Sequence, residues 1–207
     1  MTSKCTRNRS IFAVLMALAV WNLPGSTVTV AAEGQKPEVQ RLFQAGSYEQ
    51  AVESAQNGDP ASTFLAAQAL SKLNRMDGVA TELGRLKGNG PAWSLVAESG
   101  EAMAANDTGR AVDLARQATE ADGNNSFAFY QLGLAASKAN DWGTATAAFN
   151  RSLALKPDFA YAHYYAALAV QKQRQLPKAA EHFEAFLRLA PEAPERQAVQ
   201  AIMRSLK

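Results

Sequence analysis

Cysteine is nearly absent: the chain of 207 residues holds one, Cys5, and none from residue 33 onward. That later part can form no internal disulfide and offers no thiolate nucleophile or metal ligand, so packing must hold it together. Histidine is almost as scarce. His163 and His182 are the two, and neither stands in an H-E-x-x-H pair. No serine occupies a G-x-S-x-G turn. The glycine-rich stretch Gly84–Gly90 (GRLKGNG) lacks the G-K-[ST] ending of a phosphate loop and reads as a helix stop. The apolar run Ile11–Trp21 falls short of the roughly 20 residues that span a bilayer. These gaps argue against an enzyme, a metal site or a bound cofactor.

Residues 1–32 stand apart in composition. Lys4, Arg7 and Arg9 open them, the apolar run follows, Asn22, Pro24 and Gly25 break it, and Val30-Ala31-Ala32 precedes Glu33. This is the layout of a secretory signal cleaved after Ala32, the alternative being an uncleaved anchor facing the periplasm. Cys5 precedes the apolar run, so it is not a lipoprotein cysteine. The expectation is export to the periplasm or beyond, with membrane contact only through the leader if it stays. Losing three basic residues and no carboxylate turns the formal charge of +2 into −1. A near-neutral chain without a basic stripe is a poor nucleic-acid binder.

What is present is period. In Ser126–Phe159, Phe129, Leu132, Gly133 and Ala136 form one helical stripe, and Ala145, Ala148, Phe149 and Ser152 form another. Asn140-Asp141 separates them and Pro157 ends the second. The small residues Gly133, Ala136 and Ala145 allow two helices to pack closely as a hairpin. A shift of 34 residues places Phe149 on Phe183, Ala145 on Ala179, Leu155 on Leu189 and Pro157 on Pro191.

A 34-residue helix-turn-helix period with L-G (Leu132-Gly133), A-x₃-F (Ala145, Phe149) and a closing proline resembles the tetratricopeptide repeat. The copy at 160–193 departs from it, with Ala166-Ala167 for Leu-Gly and His163 for Phe129. The resemblance implies an all-α, right-handed α-solenoid. Its units would be a partial one at about 37–57, then 60–91, 92–125, 126–159 and 160–193, after a short linker at 33–36. Residues 194–207, with Ala198, Val199, Ile202 and Leu206 on one stripe, read as a C-terminal capping helix. Asp59, Asp107 and Asp141 read as turn or cap residues. Glu98 and Glu101 read as a solvated face, His163 as a packed ring and His182 as solvated.

A fold of this kind carries no chemistry by itself. The resemblance implies a non-catalytic protein-protein interaction scaffold, or alternatively an accessory module that docks a catalytic partner of an envelope enzyme complex. The first helix of each unit carries a second stripe: Phe127, Tyr130, Leu134, Lys138; then Tyr161, Tyr164, Leu168, Lys172; and earlier Trp93, Val96, Gly100, Ala104 and Ala61, Phe64, Gln68, Lys72. In tetratricopeptide arrays first helices line the concave face. That implies a groove with an aromatic floor (Trp93, Phe127, Tyr130, Tyr161, Tyr164), a dip at Gly100 and Ala104 between the rows bearing Phe64 and Tyr130, and a basic rim of Lys72, Lys138 and Lys172. A protein or peptide would bind there, and truncating Tyr130 or Tyr164 would leave the fold largely intact. The competing reading packs the same rings between neighbouring units. The Lys and Asn that clamp a terminal carboxylate in some family members are replaced here by Tyr130, Tyr164, Leu134 and Leu168.

Overall fold

The computed structural model describes residues 37–56 and 58–205. The expected leader and linker lie outside the described residues. Among those described there are eleven helices and no strand. They are α1 (Glu38–Ala45), α2 (Tyr48–Ser54), α3 (Pro60–Lys72), α4 (Met76–Leu86), α5 (Pro91–Ala104), α6 (Thr108–Ala121), α7 (Ser126–Lys138), α8 (Trp142–Leu155), α9 (Ala160–Lys172), α10 (Leu176–Leu189) and α11 (Arg196–Ser205).

Each hairpin turns by one device. Its first helix ends in a left-handed residue: Gly46, Asn74, Asn106, Asn140 and Arg174, with φ of 80°, 58°, 62°, 61° and 60°. The next N–H then reaches back to the helix, as in Asp107 to the Ala102 carbonyl and Asp141 to that of Ala136, both 2.9 Å. This is the Schellman closure, which satisfies carbonyls that a helix end leaves free. Asn tolerates φ > 0 better than most residues; Arg174 is the exception in the series. Helix starts are capped as the sequence suggests. Asp59, Asp107 and Asp141 accept from the N–H of Ser62, Arg110 and Thr144.

The hairpins α3–α4, α5–α6, α7–α8 and α9–α10 stack in order, each second helix on the next first helix. Alanine makes the seams: Ala111, Ala115 and Ala118 on α6 and Ala145 on α8 are fully buried. First helices also pack on one another, α1 on α3, α5 on α7 and α7 on α9. No packing of like extent joins α3 to α5. The unit at 60–91 is two residues short of the period, and a gap lies beside α5. The fold is thus an all-α solenoid of tetratricopeptide repeats. α11 closes its last hairpin by burying Val199.

Candidate functional site: a cavity beside α5 and a closed aromatic centre

The stripe residues divide into two groups. Gly100, Ala104, Leu134 and Lys138 come together around a cavity of about 280 Å³. Its other walls are Ala67, Gln68 and Ser71 of α3, Met76, Val79 and Leu83 of α4, Met103 of α5 and Gln131 of α7. The cavity follows from the gap between α3 and α5, and from two small residues on the α5 face that meets it. Met76 stands 47% exposed at its edge, one of the two large apolar side chains left in solvent among the described residues. Sulfur-bearing, unbranched side chains suit a surface that must shape itself to a ligand.

Gln131 was not singled out by periodicity. Its side chain is 1% exposed and lines the cavity. The amide nitrogen donates to Ser99 Oγ (3.1 Å) and Met103 Sδ (3.2 Å), while Ser99 Oγ donates to the Ala111 carbonyl (2.8 Å). Its carbonyl oxygen accepts nothing from the described residues, so an acceptor is held ready at the cavity wall. Lys138 donates to the Met103 carbonyl at 2.7 Å, which holds its ammonium at the mouth.

The rings form something else. Phe64, Phe127, Tyr130 and Tyr161 are between 0 and 6% exposed, so they are core and not an open aromatic floor. Phe64 lies against Phe127 (5.4 Å between centroids) and edge-on to Tyr130 (6.1 Å). Phe159, unremarked in the sequence, sits 4.8 Å from Tyr130 and 5.3 Å from Phe127. Trp93 and Tyr164 are half-buried against the cluster, as is Leu168.

The chain's own N-terminal hairpin packs on Tyr161. Phe43 of α1 meets Tyr161 of α9 at 4.9 Å. Gln40 donates to the Asp158 carboxylate (2.9 Å), and Gln44 donates to the Asp158 carbonyl (3.2 Å). Tyr48 and Tyr161 share a hydroxyl hydrogen bond of 3.1 Å. Tyr161 in turn donates to Glu195 (2.7 Å), which also receives Lys72 (2.8 Å).

The expected basic rim is therefore spent internally. Lys72 pairs with Glu195 and lies over the Tyr161 ring, and Lys172 lies over the Trp142 ring. Burial pushes the Tyr161 hydroxyl pKa well up, reinforced by the Tyr48 and Glu195 hydrogen bonds. Burial would raise the Glu195 carboxyl too, but the hydrogen bonds from Lys72 and Tyr161 outweigh it and hold the group below its usual range. The pair is ionised at neutral pH.

His182 is not simply solvated. Its Nδ1 lies 3.1 Å from His163 Nδ1, and His163 Nε2 lies 3.3 Å from the Pro157 carbonyl. Among the described residues no three His, Cys, Asp or Glu side chains gather as a metal would need, and no helix is long and apolar enough to cross a membrane.

The all-α solenoid with a cavity on its first helices is the architecture that the comparisons with known proteins also find. Residues 132–204 match the tetratricopeptide repeat family. Solved structures agree on the fold. The tetratricopeptide domain of Arabidopsis OM64 matches with a TM-score of 0.53 at 15% identity, over 55% of this chain and 94% of that one. The first such domain of Spaghetti (RPAP3), solved with an HSP90 peptide, gives 0.52 at 19%, over 56% and 90%. YrrB, described as having an unusual peptide-binding site, gives 0.52 at 13%, over 79% and 88%. No curated protein matches this chain in sequence.

Proposed function

We propose that the chain is a non-catalytic protein-interaction scaffold. Its partner would dock by inserting one apolar side chain of a peptide into the cavity between α3, α4, α5 and α7. The observation that carries this is the cavity itself, with Gly100 and Ala104 on one wall and Met76, Met103 and Leu134 around it. A Leu, Met or Phe anchor fits a space of this size, and such buried anchors dominate interface energetics. The Gln131 carbonyl would accept a backbone N–H of the peptide, and Lys138 would meet a carbonyl or carboxylate beside the anchor. That two of the fold relatives above are described with a peptide or a peptide-binding site supports this reading.

The proposal places the scaffold outside the cytoplasm. The basic start, short apolar run and Val30-Ala31-Ala32 ending of residues 1–32 support that placement. N-terminal sequencing of the protein after expression in a Gram-negative host tests it: a start at Glu33 is expected, and an intact Met1 retained in membranes refutes it.

Selection of peptides from a random displayed library against the wild-type chain tests the docking site. Ala104 is exposed at the cavity mouth, so Ala104→Trp fills the cavity without entering the core. Selected peptides should share an apolar anchor and lose at least tenfold in affinity on Ala104→Trp. Peptides that bind the variant as well as the wild type would place the interaction surface elsewhere.

A further inference from the structure

Three units keep the full 34-residue period, and in the last of them one pair of positions changes character. The unit at 92–125 has Leu95 and Leu114 at these positions, and the unit at 126–159 has Phe129 and Ala148. The unit at 160–193 has His163 and His182, the two histidines of the chain. Apolar side chains therefore serve the fold at both positions. Imidazoles there keep polar nitrogens half-buried and add a sensitivity to acid, so packing does not explain them. The two positions also change together, and their side chains meet. Nδ1 of one ring lies 3.1 Å from Nδ1 of the other across the α9–α10 hairpin.

The rings are set as ligands. His163 Nε2 faces the Pro157 carbonyl at 3.3 Å. A carbonyl only accepts, so Nε2 carries the proton of the neutral ring and Nδ1 presents a lone pair to His182. A histidine whose far nitrogen is fixed by a backbone carbonyl has the usual form of a metal ligand. The 3.1 Å separation also suits a shared ion. At metal–nitrogen lengths of about 2.0–2.1 Å the two atoms subtend about 95–100°, between the octahedral and tetrahedral angles. Burial lowers the pKa of both rings, so both are neutral at pH 7 and an ion displaces no proton from an imidazolium. Glu181 beside His182 favours a cation there, and Arg188 near His163 opposes one. Both rings are partly exposed, which leaves the pair open to solvent.

We propose that His163 and His182 form an exchangeable site for a late first-row divalent metal ion, bound through their two Nδ1 atoms. Imidazole suits copper, nickel and zinc, and copper is held most tightly. The ion takes the His163 lone pair. The proton that His182 Nδ1 lends to the hydrogen bond passes through water to its own Nε2, which frees the second ligand. No proton is gained or lost overall. Water fills the remaining coordination positions, so the site is open and the fold does not depend on it. This holds whether or not the cavity beside α5 takes a peptide.

The test uses the metal-free full chain, without a histidine tag and with Cys5→Ser, which removes the one thiol. Cu2+, Zn2+ and Mg2+ are titrated in separately by calorimetry. Cu2+ and Zn2+ should each bind at one equivalent, Cu2+ the tighter, and Mg2+ should give no heat of binding. The spin-resonance spectrum of the Cu2+ form should carry hyperfine structure from two imidazole nitrogens. His163→Phe with His182→Ala installs the residues of the preceding unit and should weaken both ions at least tenfold. His163→Gln alone keeps a polar side chain at the position and should weaken them as much. Unchanged binding in either variant overturns the proposal. So does a Cu2+ spectrum without imidazole hyperfine structure, or a parent that takes up neither ion at millimolar concentration.

Discussion

Gly133 on α7 leaves the space that the Phe149 ring of α8 fills: a Cβ at 133 would overlap the ring edge. Phe149 is fully buried, so it has nowhere to retreat. Alanine at 133 gains about 1 kcal/mol of helix propensity but loses about 1–3 kcal/mol to overpacking. The net expectation for Gly133→Ala is destabilisation, seen as a lower denaturant midpoint with an unchanged slope. Gly84 and Gly109 have nothing within 4 Å of such a Cβ. Gly84→Ala and Gly109→Ala should instead raise stability by roughly 0.5–1 kcal/mol each.

Tyr130 is core, and its truncation should behave like that of Phe149. Tyr130→Ala and Phe149→Ala are each expected to cost about 3–5 kcal/mol, the usual loss for a buried aromatic. Thermal melts of both variants check this. A Tyr130→Ala protein as stable as wild type would restore the ring to an open groove.

Arg174 holds the left-handed position that asparagine holds in three other turns. A side chain other than Gly or Asn is disfavoured there by roughly 1 kcal/mol. Nothing binds the Arg174 guanidinium among the described hydrogen bonds and ion pairs. Arg174→Asn and Arg174→Gly should therefore stabilise the protein, by about 0.5–1 kcal/mol in a urea titration.

The His163–His182 contact makes stability depend on pH. Burial lowers the pKa of both rings; His182 and Arg188 lower His163 further, against the raising effect of the Pro157 carbonyl, and Glu181 partly opposes the shift at His182. Their hydrogen bond also needs one unprotonated Nδ1. A histidine with a folded pKa below its unfolded value of about 6.5 leaves the unfolded chain binding more protons. Its contribution is then complete above pH 6.5 and is lost as pH falls from there through the folded value. The melting temperature should drop between pH 7.5 and pH 5, and the drop should shrink in His163→Gln with His182→Gln. An equal drop in that variant would assign it to other groups.

Much of the fold could be read from local pattern because the 34-residue period is local. Leu132-Gly133, Ala145 and Phe149 set one hairpin, and the same spacing finds the next. Asp107 and Asp141 announce helix starts for the same reason. The dip at Gly100 and Ala104 was also legible, being a matter of side-chain size along one helix. The burial of Phe127, Tyr130 and Tyr161 was not. Phe127 and Tyr130 are covered by Phe64 of an earlier unit and by Phe159, and Tyr161 by Phe43 and Tyr48 from 118 and 113 residues away, and no helical periodicity reports such packing. Lys72 looked like a free rim charge because its partner, Glu195, comes from beyond the last repeat. Gln131 escaped notice because a glutamine between two apolar stripes reads as surface until Ser99 is seen beneath it. The histidine pair lies across one hairpin, where the register that sets Phe149 on Gly133 could have suggested it.

In an open array of repeats each unit answers only to its neighbours, and the outermost unit frays first. The bond from Tyr48 through Tyr161 to Glu195 removes that freedom. It turns a line of couplings into a circuit, in which the first unit has two neighbours instead of one. Damage at either terminus is then felt at the other: removing residues 194–205 would loosen residues 38–54, since it takes away both Glu195 and the Pro194 that packs on Gly46.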